Sequence, residues 1–315
     1  MPKRLLGENL VFYRNSDRSV TALEDRCCHR NIPLSLGSLR NGRIVCAYHG
    51  WEYDAQGRCI HIPSLDNETK IPQTACVRHY PVIEKNNWIW VFMGEKHLAG
   101  ASQPVDIPEL SEWEMTWEEH VFDANLEAVS ESLIDPYHIA FAHRDSIKTM
   151  MGEIDYYPPS FNLQVLPDGL SGEYQRTNRG NIFEKQYFGN SPTIPAKYRF
   201  YFPNIQRLEI CFPKRTLLIL EHVMPVDDQE VSMTQITLWK NILSFFPWFG
   251  RRFMEKKSRK IVFEDLRLLV AQQKLLQERG PLTEVSVKAD EISLAFRKFW
   301  RERLKTEAQV HDQII

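Results

Sequence analysis

Two pairs of metal-ligating residue types stand close together early in the chain. Cys27 and His29 lie in Cys27-Cys28-His29-Arg30, and Cys46 and His49 in Cys46-Ala47-Tyr48-His49-Gly50-Trp51; sixteen residues separate the two clips. Thiolates and imidazoles in the order C-x-H…C-x2-H can hold a [2Fe–2S] cluster asymmetrically, the cysteines on one iron and the histidines on the other. Two neutral imidazoles in place of two thiolates raise the reduction potential, so such a centre serves as a one-electron relay. Zinc is the alternative for two Cys and two His. Structural zinc clips pair like with like, however, and here each clip mixes the two types. Gly37 and Gly42 between the clips, and Gly50 and Trp51 after them, argue against a chance grouping. Cys28 places an extra thiol beside the cluster; Cys27 is taken as the ligand because only it gives the C-x-H spacing.

A second group follows in ESLIDPYHIAFAHRDS, which holds Asp135, His138 and His143. Asp135 and His138, three apart, share a helix face. His138 and His143, five apart, do not, so both reach one metal only through a π-bulge or a break, which Pro136 favours. Two histidines packed in a core beside aromatic residues are the alternative. A third piece lies in RKIVFEDLRLLVAQQKLL, where Ile261, Val262, Leu268 and Leu269 are the helical neighbours of Asp265. That places an acid in an apolar stripe, and buried acids are normally ion-paired or metal-bound. Glu264, flanked by Lys260 and Arg267, is expected at the polar border. Two histidines and one carboxylate with open positions make the facial triad of non-haem Fe(II) oxygenases.

The elements that must position these groups are legible in outline. Residues 1–95 read as short strands and turns: LVFYR (10–14), VTALED (20–25), the segment IVCAYHGWEYD and WIWVFMG (88–94). A Gly/Ala/Ser/Pro stretch at 99–108 reads as a linker, and 125–144 as a helix. Strand patterns recur over 157–240, at 197–202, 207–212, 216–224 and 232–239. A long helix is predicted from about Arg251 to Arg279, stopped by Gly280-Pro281, and a last one over about 287–308. At 315 residues, 43% apolar and 25% charged, the chain has room for about two domains. The net charge of −2 gives no sign of nucleic-acid binding, and no apolar run is long enough for a membrane span. The six cysteines lack disulfide spacing, which suits a reducing, cytoplasmic setting. No Gly-rich nucleotide fingerprint occurs, so the chain does not take hydride itself.

On Cys27, His29, Cys46 and His49, on the D-x2-H-x4-H run Asp135–His143 and on the pair Glu264-Asp265, the chain resembles the terminal oxygenase (α) subunits of Rieske non-haem iron oxygenases. The resemblance covers nearly the whole chain. The tail EVSVKADEISLAFRKFWRERL is similar to the monooxygenase branch of vanillate, dicamba and methylxanthine demethylases, and DPYHIAFAH to pheophorbide-oxygenase-like members. The resemblance implies an α+β fold, with an N-terminal all-β Rieske [2Fe–2S] domain at 1–98 and a helix-grip-like catalytic domain at 109–315. It implies one [2Fe–2S] cluster and one mononuclear Fe(II) per chain, the latter on His138, His143 and Asp265. It implies a head-to-tail homotrimer in which Asp135 bridges the centres, bonding a cluster histidine across the interface and His138 within its own subunit. It also makes Asn125 a candidate near the iron. The partners implied are O2, a hydrophobic aromatic substrate, and a flavin/iron–sulfur reductase or ferredoxin passing electrons from NAD(P)H.

Ser132 stands where the family commonly has Asn, and Leu126-Glu127 replace a usual Trp-Lys. Relatives usually carry a few dozen residues before the segment matching RLLGENLVFYR, so an N-terminally shortened chain is expected. The activity implied is hydroxylation or oxidative demethylation. Cis-dihydroxylation and tetrapyrrole oxygenation use the same ligands. A soluble Rieske electron-transfer protein, of another class, would need only the first hundred residues. The run SFFPWFGRRFMEKKSRK (244–260) reads either as a docking surface for an acidic donor or a membrane surface, or as a core turn and a solvated helix start.

Overall fold

The computed structural model of the chain describes residues 1–66, 68–146, 161–177, 193–212, 215–227, 230–240 and 247–314. The chain forms two compact units, Met1–Ser111 and Glu112–Ile315.

The first unit is built from short antiparallel strands. β1 (Pro2–Leu5), β2 (Glu8–Arg14), β3 (Val20–Glu24) and, later in the chain, β8 (His79–Tyr80) make one sheet. β4 (Ser38–Arg40), β5 (Arg43–Val45), β6 (Glu52–Tyr53) and β7 (Cys59–His61) make a second, and β9 (Val82–Lys85) pairs with β10 (Trp88–Val91) as a hairpin. The middles of β2 and β3 are buried on both faces, as their continuous apolar runs require. Their side chains Val11 and Leu23 join Leu34, Ile44, Tyr53 and Val77 in one apolar cluster that also contains Cys27 and Cys46. Both clips leave strand ends: 27–29 follows β3, and 46–49 follows β5. Gly50 closes the second clip at φ 71°, a conformation that suits glycine, and its N–H donates to the Cys46 carbonyl at 3.1 Å.

The second unit is a seven-stranded antiparallel sheet with helices on one face. Its strands are β11 (Glu114–Asp123), β12 (Asn162–Leu166), β13 (Gly169–Thr177), β14 (Thr193–Tyr201), β15 (Ile205–Phe212), β16 (Arg215–Pro225) and β17 (Glu230–Lys240), in the order β11-β17-β16-β15-β14-β13-β12. α1 (Leu126–Ile134) follows β11, α2 (Ile139–Ala142) follows shortly after, and α3 (Pro247–Arg279) and α4 (Glu291–Ile314) follow the sheet. Two apolar clusters join helices to sheet. One sets Val262, Leu266 and Leu269 of α3 against Val223, Val231 and Met233. The other sets Phe296, Phe299 and Trp300 of α4 against Leu170, Tyr198 and Phe200.

The α+β organisation is the one expected. The helix expected over 125–144 is instead two pieces. Pro136 disfavours helical backbone at the residue before it, and Asp135 accordingly turns extended (φ −68°, ψ 119°) and ends α1. This break precedes both histidines, and neither a break nor a π-bulge lies between them: the Ala142 N–H donates to the His138 carbonyl at 2.7 Å and the His143 N–H to the Ile139 carbonyl at 3.3 Å. α3 ends at Gly280 (φ 74°), whose N–H donates to the Leu276 carbonyl at 2.8 Å, as the Gly-Pro stop predicts. α4 begins later than expected, after a 3₁₀ turn at Lys288–Asp290 in which the Asp290 carboxylate accepts from the Val287 N–H at 2.6 Å. Of the expected strand region, 157–160, 178–192, 213–214 and 228–229 lie outside the described residues, as do 244–246 of the aromatic segment.

Candidate functional site

In the first unit the four predicted cluster ligands fall into two pairs. Cys27 and Cys46 are free and buried in the apolar cluster. Burial first, and then the neighbouring Cys27 thiol, push the Cys46 thiol pKa up. The rings of His29 and His49 lie 4.7 Å apart between centroids. Trp51 stacks flat on His29 at 4.6 Å, and the Nδ1 of His29 is buried with no hydrogen-bond partner. A buried ring nitrogen without a partner is available as a ligand atom, and here it stands beside the His49 ring. The four residues do not converge on one point. Among the described residues, the group of three or more potential ligands with atoms mutually within 4.8 Å is His138, His143 and Asp265. A sulfur pair set apart from an imidazole pair fits two bridged irons and is too spread for one tetrahedral zinc. The Tyr53 hydroxyl reaches the Cys27 sulfur at 3.1 Å and that of Cys28 at 3.3 Å, so the extra thiol is hydrogen-bonded in place.

In the second unit both histidines follow the break after α1 and bracket α2. His138 stands at the start of α2 and His143 just past its end, so their rings meet although their spacing is not helical. The two Nε2 atoms lie 3.2 Å apart, and Asp265 Oδ1 is 3.2 Å from that of His143 and 3.7 Å from that of His138. His138 Nδ1 lies 2.6 Å from the Asp135 carbonyl oxygen, which can only accept; Nδ1 therefore carries the proton and Nε2 the lone pair. His143 Nδ1 lies 3.1 Å from Glu264 Oε2 and is fixed in the same way. Three electron-pair donors thus face one another across a gap that only a cation, or a proton, makes favourable. Burial pulls His138 below the ordinary imidazole pKa despite Asp265. Burial opposes charge on His143 too, but Asp265 and Glu264 outweigh it and the net shift is upward.

The remaining predicted residues are placed as follows. The Asp135 carboxylate accepts from the backbone N–H groups of Tyr137 (2.8 Å) and His138 (3.2 Å). Its distance to the His138 ring is 3.8 Å, so its carbonyl rather than its carboxylate orients that ring. Asn125 is exposed and caps α1, accepting from the Glu127 N–H at 2.8 Å; it is not brought to the histidines. The apolar stripe around Asp265 runs through Val262, Leu266 and Leu269, whereas Leu268 is 47% exposed. In the basic run, Arg251 pairs with Glu255 (3.1 Å), Arg259 with Glu118 (3.2 Å), and Lys260 donates to the Asp145 carbonyl (3.1 Å).

Sequence reasoning missed three participants. Glu264, expected at the polar border, turns inward to His143 and also accepts from the Ser146 hydroxyl at 2.5 Å. No sequence signal marks Ser146. Glu221 lies in the otherwise apolar TLLILEHVM of β16, which is the same signal that singled out Asp265. Burial, with a contribution from the Asp265 charge, pushes its carboxyl pKa up to about 7, while the Gln235 amide pulls it down.

The Rieske [2Fe-2S] domain family matches residues 1–81, and the vanillate O-demethylase oxygenase C-terminal domain family matches residues 122–306. The iron–sulfur subunit of the toluene-4-sulfonate monooxygenase system of Comamonas testosteroni is 34% identical over 149 residues, 47% of this chain and 42% of that protein. A vanillate O-demethylase oxygenase subunit of a Pseudomonas strain is 33% identical over 165 residues, 51% of this chain and 47% of that one. Chlorophyllide a oxygenase of Chlamydomonas reinhardtii is 24% identical over 98% of this chain and 46% of its own length. The chain thus spans about half the length of the curated relatives it matches. Among solved structures, dicamba monooxygenase bound to dicamba superposes with a TM-score of 0.81 at 20% identity, over 98% of this chain and 93% of that one. A Pseudomonas putida NdmA variant with theobromine gives 0.78 at 23%, over 98% and 85%. At such identities the likeness is one of fold.

Proposed function

Because the chain belongs to the Rieske non-haem iron oxygenases, with a catalytic domain of the vanillate O-demethylase type filling more than half of it, we propose that it is a terminal oxygenase that hydroxylates or oxidatively demethylates a hydrophobic, aromatic ring substrate. Electrons from NAD(P)H reach it through a separate flavin/iron–sulfur reductase or a ferredoxin, in a cytoplasmic homotrimer. Among the described residues no helix is long and apolar enough to cross a membrane. In this reading residues 1–98 are the cluster domain and 109–315 the catalytic domain.

The observation that carries it is the convergence of His138 Nε2, His143 Nε2 and Asp265 Oδ1, with both Nδ1 protons committed elsewhere. Cys27 and Cys46 would hold one iron of the cluster and His29 and His49 the other, while His138, His143 and Asp265 would hold the mononuclear iron. When bound, these groups supply single electrons and a site for dioxygen activation. The chain's own residues do the rest. The Asp135 carbonyl and Glu264 fix the two imidazole tautomers, and Asp135, partly exposed at the break, would be the acid that links the centres across the trimer. Val262, Leu266 and Leu269 pack α3 so that Asp265 is held at 7% exposure, away from bulk water.

The test is metal analysis of the purified protein beside its visible spectrum. About three irons per chain are expected, two in the cluster and one mononuclear. Asp265→Ala should lose the mononuclear iron and keep the cluster spectrum. Retention of all iron in that variant would remove Asp265 from the ligand set.

A further inference from the structure

Glu221 takes no part in holding either centre, yet it sits beside one of them. Gln206, Glu221, Gln235 and Glu118 are register partners across β15, β16, β17 and β11, so they project from the same face of the sheet. That face is the helix-covered one. Gln206 Nε2 donates to the Ser130 carbonyl of α1 at 2.8 Å, the Ser258 hydroxyl of α3 donates to Gln235 Oε1, and Arg259 of α3 donates to Glu118 at 3.2 Å. Three members of the row are thereby spent. Gln206 also accepts from the Tyr198 hydroxyl at 3.0 Å, and Glu118 lies 3.3 Å from His120 Nε2. Glu221 differs. Its Oε1 accepts from Gln235 Nε2 at 2.9 Å, and among the described residues its Oε2 receives no donor and no cation pairs with it.

Glu221 is only partly exposed, and a carboxylate there without a counter-charge is unfavourable unless something, water or a ligand, satisfies it. Space for that something lies along the same face. Leu208 pairs with Ile219 and Ile210 with Leu217 on the helix side, and all four remain partly exposed between the two well-buried apolar clusters. These side chains, partly open on a covered sheet face, give Glu221 accessible apolar surface beside it. Val262 of α3, less than one turn before Asp265, packs in the same cluster as Val223, the next residue on Glu221's side of β16, which brings Glu221 near the metal-binding stretch of α3.

Building on the oxygenase reading, we propose that Glu221 is the polar anchor of the substrate pocket: its Oε2 accepts from an N–H or O–H group on the ring substrate. The pocket therefore selects neutral or cationic donor-bearing rings and turns away carboxylated or sulfonated ones. Attraction alone does not set this preference. A ring without a donor leaves the acid unsatisfied, and an anionic ring meets like charge where screening by water is weak. Gln235, held by Ser258, positions the Glu221 carboxylate and leaves one oxygen free for the substrate.

The experiment is titration calorimetry at pH 8.5, above the raised pKa of Glu221 of about 7 so that it is ionised, on the iron-loaded full chain with three rings of matched skeleton: 4-methoxyphenol, 1,4-dimethoxybenzene and 4-methoxybenzoate. The phenol is expected to bind about tenfold or more tightly than either other ring. In Glu221→Gln, which keeps the size and the bond to Gln235, the penalty on the benzoate should fall by about tenfold. In Glu221→Leu the dimethoxy ring should overtake the phenol. The wild-type order tests the anchor whether or not either variant folds. Equal or tighter binding of the benzoate, no binding of the phenol, or an unchanged order in folded Glu221→Gln each overturns it. Iron content and the cluster spectrum of the same preparations report separately on the oxygenase reading. Missing iron overturns that reading, while the binding order still decides the role of Glu221.

Discussion

Neither imidazole of the metal group is free to turn. The Asp135 carbonyl holds His138 through Nδ1, and Glu264 holds His143 through Nδ1, with Ser146 in turn fixing Glu264. Such outer partners commonly set metal affinity within one to two orders of magnitude. Glu264→Ala should therefore weaken mononuclear iron binding by about 10–100-fold and leave the cluster spectrum unchanged, as read by iron titration of the chelated protein. Glu264→Gln, which can still accept from Nδ1, should lose much less. The sequence shows Asp265 because an acid in an apolar stripe has few explanations. It hides Glu264, because the next helical position lies about 100° round the axis and only the length and bend of a glutamate side chain bring it back. Glu221 was discoverable by the logic that found Asp265. Its partners Gln206 and Gln235 were not, since cross-strand neighbours are set by register between segments far apart in the chain.

At the scale of elements, the strands and the long helix follow from pattern, and the site depends on where the pattern fails. A helix continued through 125–144 would turn His138 and His143 about 140° apart at 100° per residue. Pro136 ends α1 at Asp135, ahead of both histidines, so they flank the short α2, and their ring nitrogens meet where His143 leaves helical backbone (φ −104°, ψ 16°). Proline in the sequence announces an irregularity but not its kind, so a break and a bulge were equally legible beforehand. α4 has a different task. Phe296 is fully buried, edge-on to Phe200 at 5.2 Å, and with Phe299 and Trp300 it fastens the C-terminal helix over β13 and β14. Phe296→Ala should cost about 3–5 kcal/mol in denaturant unfolding. The expected cause is the cavity it leaves, so Phe296→Leu should recover most of the loss.

At the scale of the molecule, the two sets of ligands never mix within one chain. Cys27, His29, Cys46 and His49 belong to Met1–Ser111, and His138, His143 and Asp265 to Glu112–Ile315. Each metal therefore adds stability to the unit that binds it. Iron at a hundredfold its dissociation constant contributes about 3 kcal/mol to the native state. Removing the mononuclear iron with a chelator that spares the cluster should lower the melting transition followed by helical circular dichroism. The bleaching of cluster absorbance should stay where it was. A common shift of both signals would mean that the units melt as one. This division was visible in sequence from the Gly/Ala/Ser/Pro stretch at 99–108 that separates the two ligand groups, whereas the assembly of the second sheet was not. Its strand order brings β11, first in the unit, beside β17, last of the strands, a pairing that no local pattern encodes.

The contacts of α3 carry a consequence for how this chain tolerates change in length. Ser258 reaches Gln235, Arg259 reaches Glu118, and Lys260 reaches the Asp145 carbonyl, while Glu264 and Asp265 meet His143 little more than a turn later. The helix is pinned at both ends of that short interval, with no slack between. One residue added there rotates everything beyond it by about 100° and advances it about 1.5 Å, carrying both acids off the imidazole together. Past Leu269 no such contact fixes the phase among the described residues, and the exposed turns toward Gly280 should lengthen or shorten without disturbing the centre. The interval 258–265 thus behaves as a reading frame in three dimensions, tolerant of substitution at its exposed positions and intolerant of any insertion or deletion.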